Sequence, residues 1–176
     1  MRCLEIGPGD NKIGIGWTTM DVVAGDHIDV VHSLTDVPLP FPDSSFDLVY
    51  MSHVLEHVPW FLTVRILSDM RRLLRNGGVL EVWVPDLAKL VRGYLEPSVI
   101  GNDGWWKHNE GHHPVTWFNG RLFSYGPPGR NWHRAVFDRT YLAECLLAAG
   151  FSTLVRVERP RGCDHGWINL GMGARK

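Results

Sequence analysis

Short apolar runs alternate with segments of helical periodicity along this chain. The runs typical of strands are 3–6, 17–22, 28–31, 46–51, 79–84, 153–158 and 168–174. The clearest helix begins near Trp60, where apolar side chains recur every three or four residues, at Phe61, Val64, Leu67, Met70 and Leu74. Strands that alternate with helices are typical of a parallel sheet covered by helices. We therefore predict an α/β fold, a Rossmann-like doubly wound mixed sheet of seven strands in a single domain.

Capping residues set the predicted ends of the helices. The first helix ends at Gly77-Gly78, because glycine enters the left-handed turn cheaply and the basic side chains ahead of it complement the helix dipole. A second helix covers 87–95, and a third runs from an Asp138 cap to Gly150. Between them lies a long connection rich in Trp, His, Gly and Pro, and a connection of that length in a compact domain is usually functional.

The composition fits one soluble domain. The chain has 176 residues, of which 44% are apolar, and this is enough to fill a single core. No apolar run is long enough for a signal peptide or a membrane span, so we expect a cytoplasmic protein without membrane contact. The cysteines, Cys3, Cys145 and Cys163, are far apart and form no C-x-x-C pair, which argues against disulfides and a zinc ribbon.

Charge is distributed unevenly between the two halves of the chain. The formal net charge of −1 favours neither nucleic acid nor an anionic membrane as a partner. Residues 1–88 hold six Lys and Arg against twelve Asp and Glu, whereas residues 89–176 hold twelve against seven. The basic half either favours an anionic partner or is simply solvated, and its arginines include Arg121, Arg130, Arg134, Arg139, Arg156, Arg159 and Arg161.

A glycine-rich turn follows the first predicted strand. Leu4-Glu5-Ile6-Gly7-Pro8-Gly9 ends in G-x-G, and glycines at such a turn let the backbone pass close beneath a bound nucleoside because no Cβ fills the space. Asp21 ends the second strand, where a carboxylate can accept hydrogen bonds from both ribose hydroxyls. Together these features favour a nucleoside site, although each of them alone is weak support.

Four motifs, in this order, resemble those of a known family. They are L-E-I-G-P-G from Leu4, G-W-x-x-x-D from Gly16, L-P-F-P-D-S-S-F-D-L-V-Y-M-S-H-V-L-E-H-V from Leu39, and R-R-L-L-R-N-G-G-V-L-E-V-W-V-P-D from Arg71. The chain is similar in these motifs to the class I S-adenosylmethionine-dependent methyltransferases, and especially to short bacterial ones often encoded beside glycan and polysaccharide genes. The resemblance implies S-adenosyl-L-methionine as cofactor and S-adenosyl-L-homocysteine as its product.

The resemblance also implies that different parts of the single domain of 1–176 have different roles. Residues 1–86 would bind the cofactor, 87–137 would form a helix and an acceptor-side insertion, and 138–176 would form the C-terminal helix and strands. The residues implied to line the cofactor are Glu5, Gly7, Pro8 and Gly9 at its amino-acid part, Asp21 at the ribose, Ser33 and Leu34 at the adenine, and Met51, Ser52 and His53 beside the sulfonium.

Three features depart from the family pattern. The first strand begins almost at Met1, so we expect a reduced N-terminal helical part. Only sixteen positions separate Glu5 from Asp21, so the usual helix after the glycine turn is very short or missing. Ser33 stands where these enzymes commonly present an Asp to the adenine, and a hydroxyl is a weaker partner than a carboxylate.

Two other kinds of site share parts of these motifs. A nicotinamide dinucleotide site needs a third glycine, and that position is Lys12 here. His53-Val54-Leu55-Glu56-His57 matches the H-x-x-E-H pattern of inverted zinc proteases, but it follows directly on a strand and is soon followed by Pro59, so a helix carrying the ligands is not expected. We therefore expect no metal ion.

Methyl transfer to a hydroxyl or amine also needs a base that accepts the acceptor's proton. Histidine suits this role because its unperturbed pKa lies near neutrality. The candidates are His57, Asp86, His112, His113 and His133. Four tryptophans of the long connection either stack on a ring of the acceptor or form the core of a small cap, and they are Trp105, Trp106, Trp117 and Trp132.

The predicted function is methylation, at oxygen or nitrogen, of a small-molecule or glycan-type acceptor that is neutral or anionic. Two alternatives stay open. One is a non-catalytic methyltransferase-like binding subunit, and the other is a nucleic-acid methyltransferase, which the lack of a domain-wide basic excess disfavours. Bare sheet edges in so short a chain also predict a homodimer.

Overall fold

A seven-stranded sheet forms the centre of the computed structural model. The structure describes residues 1–10, 12–127, 129 and 131–176, without the side chain of His108, so Arg130 of the basic half lies outside the described residues. The strands are β1 (Cys3–Ile6), β2 (Trp17–Asp21), β3 (Val30–Val31), β4 (Phe46–Ser52), β5 (Leu74–Pro85), β6 (Thr153–Val157) and β7 (Asn169–Arg175).

The strands lie in the order β3-β2-β1-β4-β5-β7-β6, and only β7 runs antiparallel to its neighbours. The strand order reverses between β1 and β4, so the predicted doubly wound mixed sheet is confirmed. β3 is shorter than expected. The Thr19 N–H of β2 donates to the Asp29 carboxylate at 2.9 Å, so it cannot pair with the backbone of a longer β3. Since the carboxyl ends of β1, β2 and β4 meet at the switch point, this edge is where a ligand would be expected.

The helices are α1 (Thr63–Leu73), α2 (Leu87–Leu95), α3 (Pro114–Leu122) and α4 (Arg139–Ala148). The bounds of α2 match the sequence prediction, and α4 begins as predicted after Asp138, whose carboxylate accepts the Tyr141 N–H at 2.8 Å. The sequence analysis did not predict α3, which lies in the long connection together with the 3-10 turns Pro97–Asn102 and Gly104–Asn109.

The prediction for α1 was partly wrong. Residues Trp60–Leu62 form a separate 3-10 turn, so Phe61 lies off the buried face of the helix and is 66% exposed. The side chains that α1 buries are Thr63, Ile66, Leu67, Asp69, Met70 and Leu73. The helix also ends before Gly77-Gly78, because Leu74 is already extended and pairs with Phe46 of β4.

One face of the sheet packs against α1 and α4 and forms the main apolar core. Successive side chains of a strand point to opposite faces, so Glu5, Tyr50 and Glu81, which are neighbours across β1, β4 and β5, lie on the other face. Loop residues contact this row: Ile13 binds Glu5, and the β6–β7 loop (158–165) binds Tyr50 and Glu81. The described residues between β1 and β2 form no helix, as the short spacing predicted.

A second, smaller core holds the long connection together. Trp117 is fully buried there beside Leu90 of α2 and Ile168, so this tryptophan belongs to the core of a cap. Its indole N–H donates to the buried Asp103 carboxylate at 2.7 Å, and Arg121 pairs with the same carboxylate. No helix in the described part of the chain is long and apolar enough to cross a bilayer.

Candidate active site

The glycine turn after β1 closes against the end of β2. Gly7 and Gly9 have φ angles of +67° and +61°, in the left-handed region that glycine enters cheaply. The Gly7 N–H donates to the Met20 carbonyl at 2.8 Å, and the Gly9 N–H lies 3.4 Å from the Asp21 carboxylate. A Cβ on Gly7 would lie only 2.4 Å from Val54, whereas one on Gly9 would meet no atom within 4 Å. The turn therefore packs tightly against Val54 at Gly7 and leaves open space beside Gly9.

Glu5 supports this turn from the sheet. Its carboxylate, only 3% exposed, accepts the Ile13 N–H at 2.8 Å. Burial raises the pKa of Glu5, and the bond from Ile13 opposes that effect. In the structure this side chain holds the segment after the glycine turn in place, and Pro8 lies half-buried within the turn.

The other predicted cofactor contacts lie just after β3 and at the end of β4. Ser33 forms a short turn in which its hydroxyl lies 2.8 Å from that of Thr35. Leu34 and Met51 are buried members of the main core. The Ser52 hydroxyl donates to the Cys163 carbonyl at 2.8 Å, so it ties β4 to the β6–β7 loop.

A buried carboxylate, that of Glu56, lies in the turn after β4. His53 has a φ of +55°, and the single 3-10 turn Leu55–His57 follows it. This confirms that the H-x-x-E-H segment forms no ligand-bearing α-helix. Glu56 is 1% exposed; its Oε1 lies 3.1 Å from His53 Nδ1, and its Oε2 has no hydrogen-bond partner.

His53 is held between two oxygen acceptors. Its Nε2 lies 2.8 Å from Asn169 Oδ1, and the Asn169 amide group donates to Asp164 at 2.6 Å, which fixes the orientation of the amide. Both ring nitrogens of His53 therefore lie within hydrogen-bond distance of side-chain oxygens. The His165 ring stacks on His53 at 3.8 Å between centroids. Burial, together with the charges of His53 and Arg121, lowers the pKa of His165 to about 4.

His57 and His133 lie on the other side of Glu56. Their ring centroids are 5.0 Å apart, and one ligand atom from each of Glu56, His57 and His133 lies within 4.8 Å of the other two. Burial lowers the pKa of His133, and the Glu56 carboxylate offsets part of that effect. Burial alone would raise the pKa of Glu56, but the hydrogen bond from His53 and the surrounding imidazoles outweigh burial and lower it. We refer to Glu56, His57 and His133 as the Glu56 cluster.

The other predicted base candidates lie outside this cluster. The Asp86 carboxylate accepts the Ala88 N–H at 3.0 Å and caps α2. His113 caps α3 through Nδ1, which accepts the Val115 N–H at 3.2 Å, and His112 is exposed. The local sequence did not indicate Glu56 as the centre of a cluster. It did not indicate His165 and Asn169 either, because they lie more than 100 residues further along the chain.

A groove of about 600 Å³ opens along β6 and β7 and reaches Asn169. Its wall includes Asp86, Trp83 and Trp167. The basic side chains that line it are Lys89, Arg139, Arg156 and Arg159. Lys89 donates to the Asn169 carbonyl at 2.6 Å, so the groove and the His53 network share a residue.

The fold has close counterparts among solved structures. A SAM-dependent methyltransferase from Archaeoglobus fulgidus superposes with a TM-score of 0.60, at 15% identity, over 99% of this chain and 86% of that chain. Residues 18–82, which hold Asp21 and the turn after β4, match the family model described as a methyltransferase domain. Residues 18–82 thus match a methyltransferase domain, and the chain as a whole has the fold of S-adenosylmethionine-dependent methyltransferases.

Two further methyltransferases resemble this chain, one in fold and one in sequence. The 1,6-didemethyltoxoflavin-N1-methyltransferase of Burkholderia thailandensis, solved with 1,6-didemethyltoxoflavin and S-adenosylhomocysteine, has a TM-score of 0.57 at 19% identity, over 99% of this chain and 70% of that chain. The demethylmenaquinone methyltransferase of Bacillus pumilus is 32% identical over 87 residues, which are 48% of this chain and 36% of that enzyme. The match thus spans about a third of the length of the curated relative.

Proposed function

We propose that this protein is a methyltransferase that transfers a methyl group from S-adenosyl-L-methionine to an oxygen or nitrogen of a small-molecule or glycan-type acceptor. The observation that carries the proposal is the placement of the Asp21 carboxylate beside the Gly9 N–H, at 3.4 Å, on the sheet edge that also presents the Glu56 cluster. At this sheet edge, Asp21 offers an acceptor for the ribose hydroxyls, and the Glu56 cluster offers groups that can hold or accept a proton.

The residues at the glycine turn fit the cofactor. The space beside Gly9 is open, and the half-buried Asp21 directs its Oδ2 at that turn. We assign the ribose to Asp21, the adenine to Ser33 and Leu34, and the amino-acid part to the turn of Gly7, Pro8 and Gly9. Glu5 acts there by holding Ile13, and Met51, Ser52 and His53 form the floor beneath the sulfonium. The bound cofactor supplies an electrophilic methyl group.

Alignment of the acceptor and removal of its proton are the tasks left to the protein. His57 and His133 have ring nitrogens near the buried Glu56 carboxylate, which stabilises an imidazole that gains a proton. Asp86 and His113 are engaged as helix caps and His112 is exposed, so we assign proton acceptance to the Glu56 cluster.

The groove beside Asn169 suits an anionic or aromatic acceptor. Its arginines favour a carboxylate or phosphate, and the partly exposed Trp167 lies at its wall.

The test separates binding from turnover. Calorimetry with S-adenosylhomocysteine measures cofactor binding, and release of S-adenosylhomocysteine is then followed with a panel of sugars, phenols, carboxylates, amines and an oligonucleotide. Release with a small acceptor supports the proposal. Binding without release for any acceptor supports a non-catalytic subunit, and no binding refutes the cofactor site. The predicted homodimer stays a prediction that light scattering on the purified chain would test.

A further inference from the structure

We propose that Glu56, His57 and His133 form a binding site for a divalent transition-metal ion of the zinc type. One carboxylate oxygen and two imidazole nitrogens lie within 4.8 Å of one another, close enough for a single ion to draw them together. This donor set is typical of zinc and of related first-row ions, whereas magnesium and calcium prefer sites made of oxygen alone.

Two of the three ligands, Glu56 and His57, keep one atom for the ion, because a neighbour lies against the other polar atom. His53 binds Glu56 Oε1 at 3.1 Å, and the Trp132 carbonyl lies 3.4 Å from His57 Nδ1. Metal-binding histidines usually donate their second ring N–H to a carbonyl or carboxylate in this way, which fixes the ring and its tautomer.

The free oxygen of Glu56 is the independent observation that points to a ligand. Glu56 Oε2 is buried and has no hydrogen-bond partner. Buried carboxylate oxygens are nearly always hydrogen-bonded or bound to a metal, since burial without a partner is costly. An ion among the three side chains would satisfy this oxygen.

The proposed site differs from the one that H-x-x-E-H describes. In that pattern both histidines of the motif bind the metal, but here both ring nitrogens of His53 are engaged, by Glu56 and Asn169. The motif glutamate, its second histidine and the distant His133 take the ligand positions instead. The proposal therefore departs from the absence of a metal expected from the sequence.

Three protein ligands leave at least one coordination position open, as in catalytic zinc sites. A role for that position rests on the proposed function: the ion would bind a hydroxyl or carboxylate oxygen of the acceptor. A bound hydroxyl has a lowered pKa and would release its proton to water, in place of transfer to His57 or His133. The site thus favours oxygen acceptors over amines.

The decisive measurement is metal binding by the complete chain without a histidine tag, after treatment with a chelator. Zinc binding is measured by calorimetry. Cobalt binding is measured by visible absorption, because the spectrum of the bound ion depends on the ligands around it. We expect one equivalent bound by the wild-type chain and by His112→Gln, which changes an exposed histidine. We expect at least tenfold weaker binding for Glu56→Gln and for His133→Gln.

Three results would overturn the proposal. They are a folded wild-type chain that binds no equivalent of either ion, a folded His133→Gln variant that binds as the wild type does, and a folded Glu56→Gln variant that does so. Circular dichroism checks the fold of each variant, and the wild-type titration decides even if a variant fails to fold. Because neither cofactor nor acceptor is present, the outcome is independent of whether the proposed methyl transfer occurs.

Discussion

The Tyr50 hydroxyl accepts a hydrogen bond from the Gly162 N–H at 3.1 Å, across 112 positions of the chain. It also accepts the Arg161 N–H at 3.1 Å, and the Arg161 side chain pairs with Glu81 at 2.7 Å. These contacts hold the β6–β7 loop on the face of the sheet that lies opposite α1 and α4. The loop in turn meets Glu5, which supports the glycine turn, so the loop stabilises the proposed cofactor site from below.

Tyr50→Phe removes the acceptor of both N–H groups while keeping the ring. We expect the amides of Arg161 and Gly162 to exchange with deuterium at least tenfold faster, because two hydrogen bonds worth about 1 kcal/mol each are lost. Hydrogen exchange followed by mass spectrometry on the 158–165 segment measures this. Tyr94→Phe, at a tyrosine that is 41% exposed, is the matched control. Equal exchange in the two variants would contradict a fastening role for Tyr50.

The sheet could be predicted from the sequence because its strands are short apolar runs with polar turns between them. The buried faces of the helices were harder to predict, because a helix that begins a few residues later packs different side chains against the sheet. Phe61 and Val64 fit a helix that starts at Trp60, but the observed start at Thr63 leaves them exposed and buries Ile66 and Leu73. Local periodicity therefore indicated that a helix exists, whereas tertiary packing decided its register.

The two parts of the candidate site differ in the same way. The glycine turn and Asp21 lie within twenty residues of each other, so motif and spacing sufficed to bring them together. The Glu56 cluster and the His53 network join segments separated by as many as 116 positions, as between His53 and Asn169. Nothing in the local sequence of Asn169 or His165 indicates that contact, because the antiparallel pairing of β7 with β5 creates it.

Gly7→Ala tests the close packing of the glycine turn against Val54. The φ of +67° costs an L residue about 1–2 kcal/mol. The new Cβ would also press on Val54 at 2.4 Å, and overpacking of that kind costs about 1–3 kcal/mol. We expect a fall in the free energy of unfolding of this combined size, measured by urea denaturation. Gly14→Ala is the control, because its Cβ would meet no atom within 4 Å, and a fall as large there would contradict the argument.

Arg121→Met tests the buried ion pair of the cap. Asp103 is 1% exposed, and loss of its arginine partner leaves a buried charge, which costs about 3–5 kcal/mol. We expect a loss of stability of this order by thermal and urea denaturation. Arg92→Met breaks the exposed pair with Glu96 and should change stability by only about 0–1 kcal/mol. If the two variants lost similar amounts of stability, burial of the pair between Asp103 and Arg121 would not explain the effect.

The low pKa of His165 makes stability depend on pH. Because the folded chain holds this pKa at about 4, below its ordinary value of 6.5, the unfolded chain binds the proton more readily. The contribution to stability is therefore complete above pH 6.5 and is lost as the pH falls toward 4. Burial is the main cause; His53 and Arg121 add to the shift, and Glu56 and Asp103 oppose it.

His165→Gln isolates this dependence, because glutamine stays neutral. We expect the melting temperature of the wild type to fall by a few degrees more than that of His165→Gln between pH 7.5 and pH 5, measured by calorimetry. His112→Gln changes an exposed histidine and should keep the wild-type slope. Parallel slopes for wild type and His165→Gln would mean that other groups carry the acid sensitivity.

Asp21→Ala tests the proposed ribose site directly. A carboxylate that accepts bonds from both ribose hydroxyls contributes about 1.5–3 kcal/mol, so we expect affinity for S-adenosylhomocysteine to fall at least tenfold by calorimetry. Asp21 also accepts the Val23 N–H at 3.0 Å, so the melting temperature of the variant must be measured alongside its affinity. Asp26→Ala, an exposed carboxylate in the next turn, should keep wild-type affinity. If the folded Asp21→Ala chain binds S-adenosylhomocysteine as tightly as Asp26→Ala does, the Asp21 carboxylate does not bind the ribose, because the two variants differ only in which carboxylate is removed.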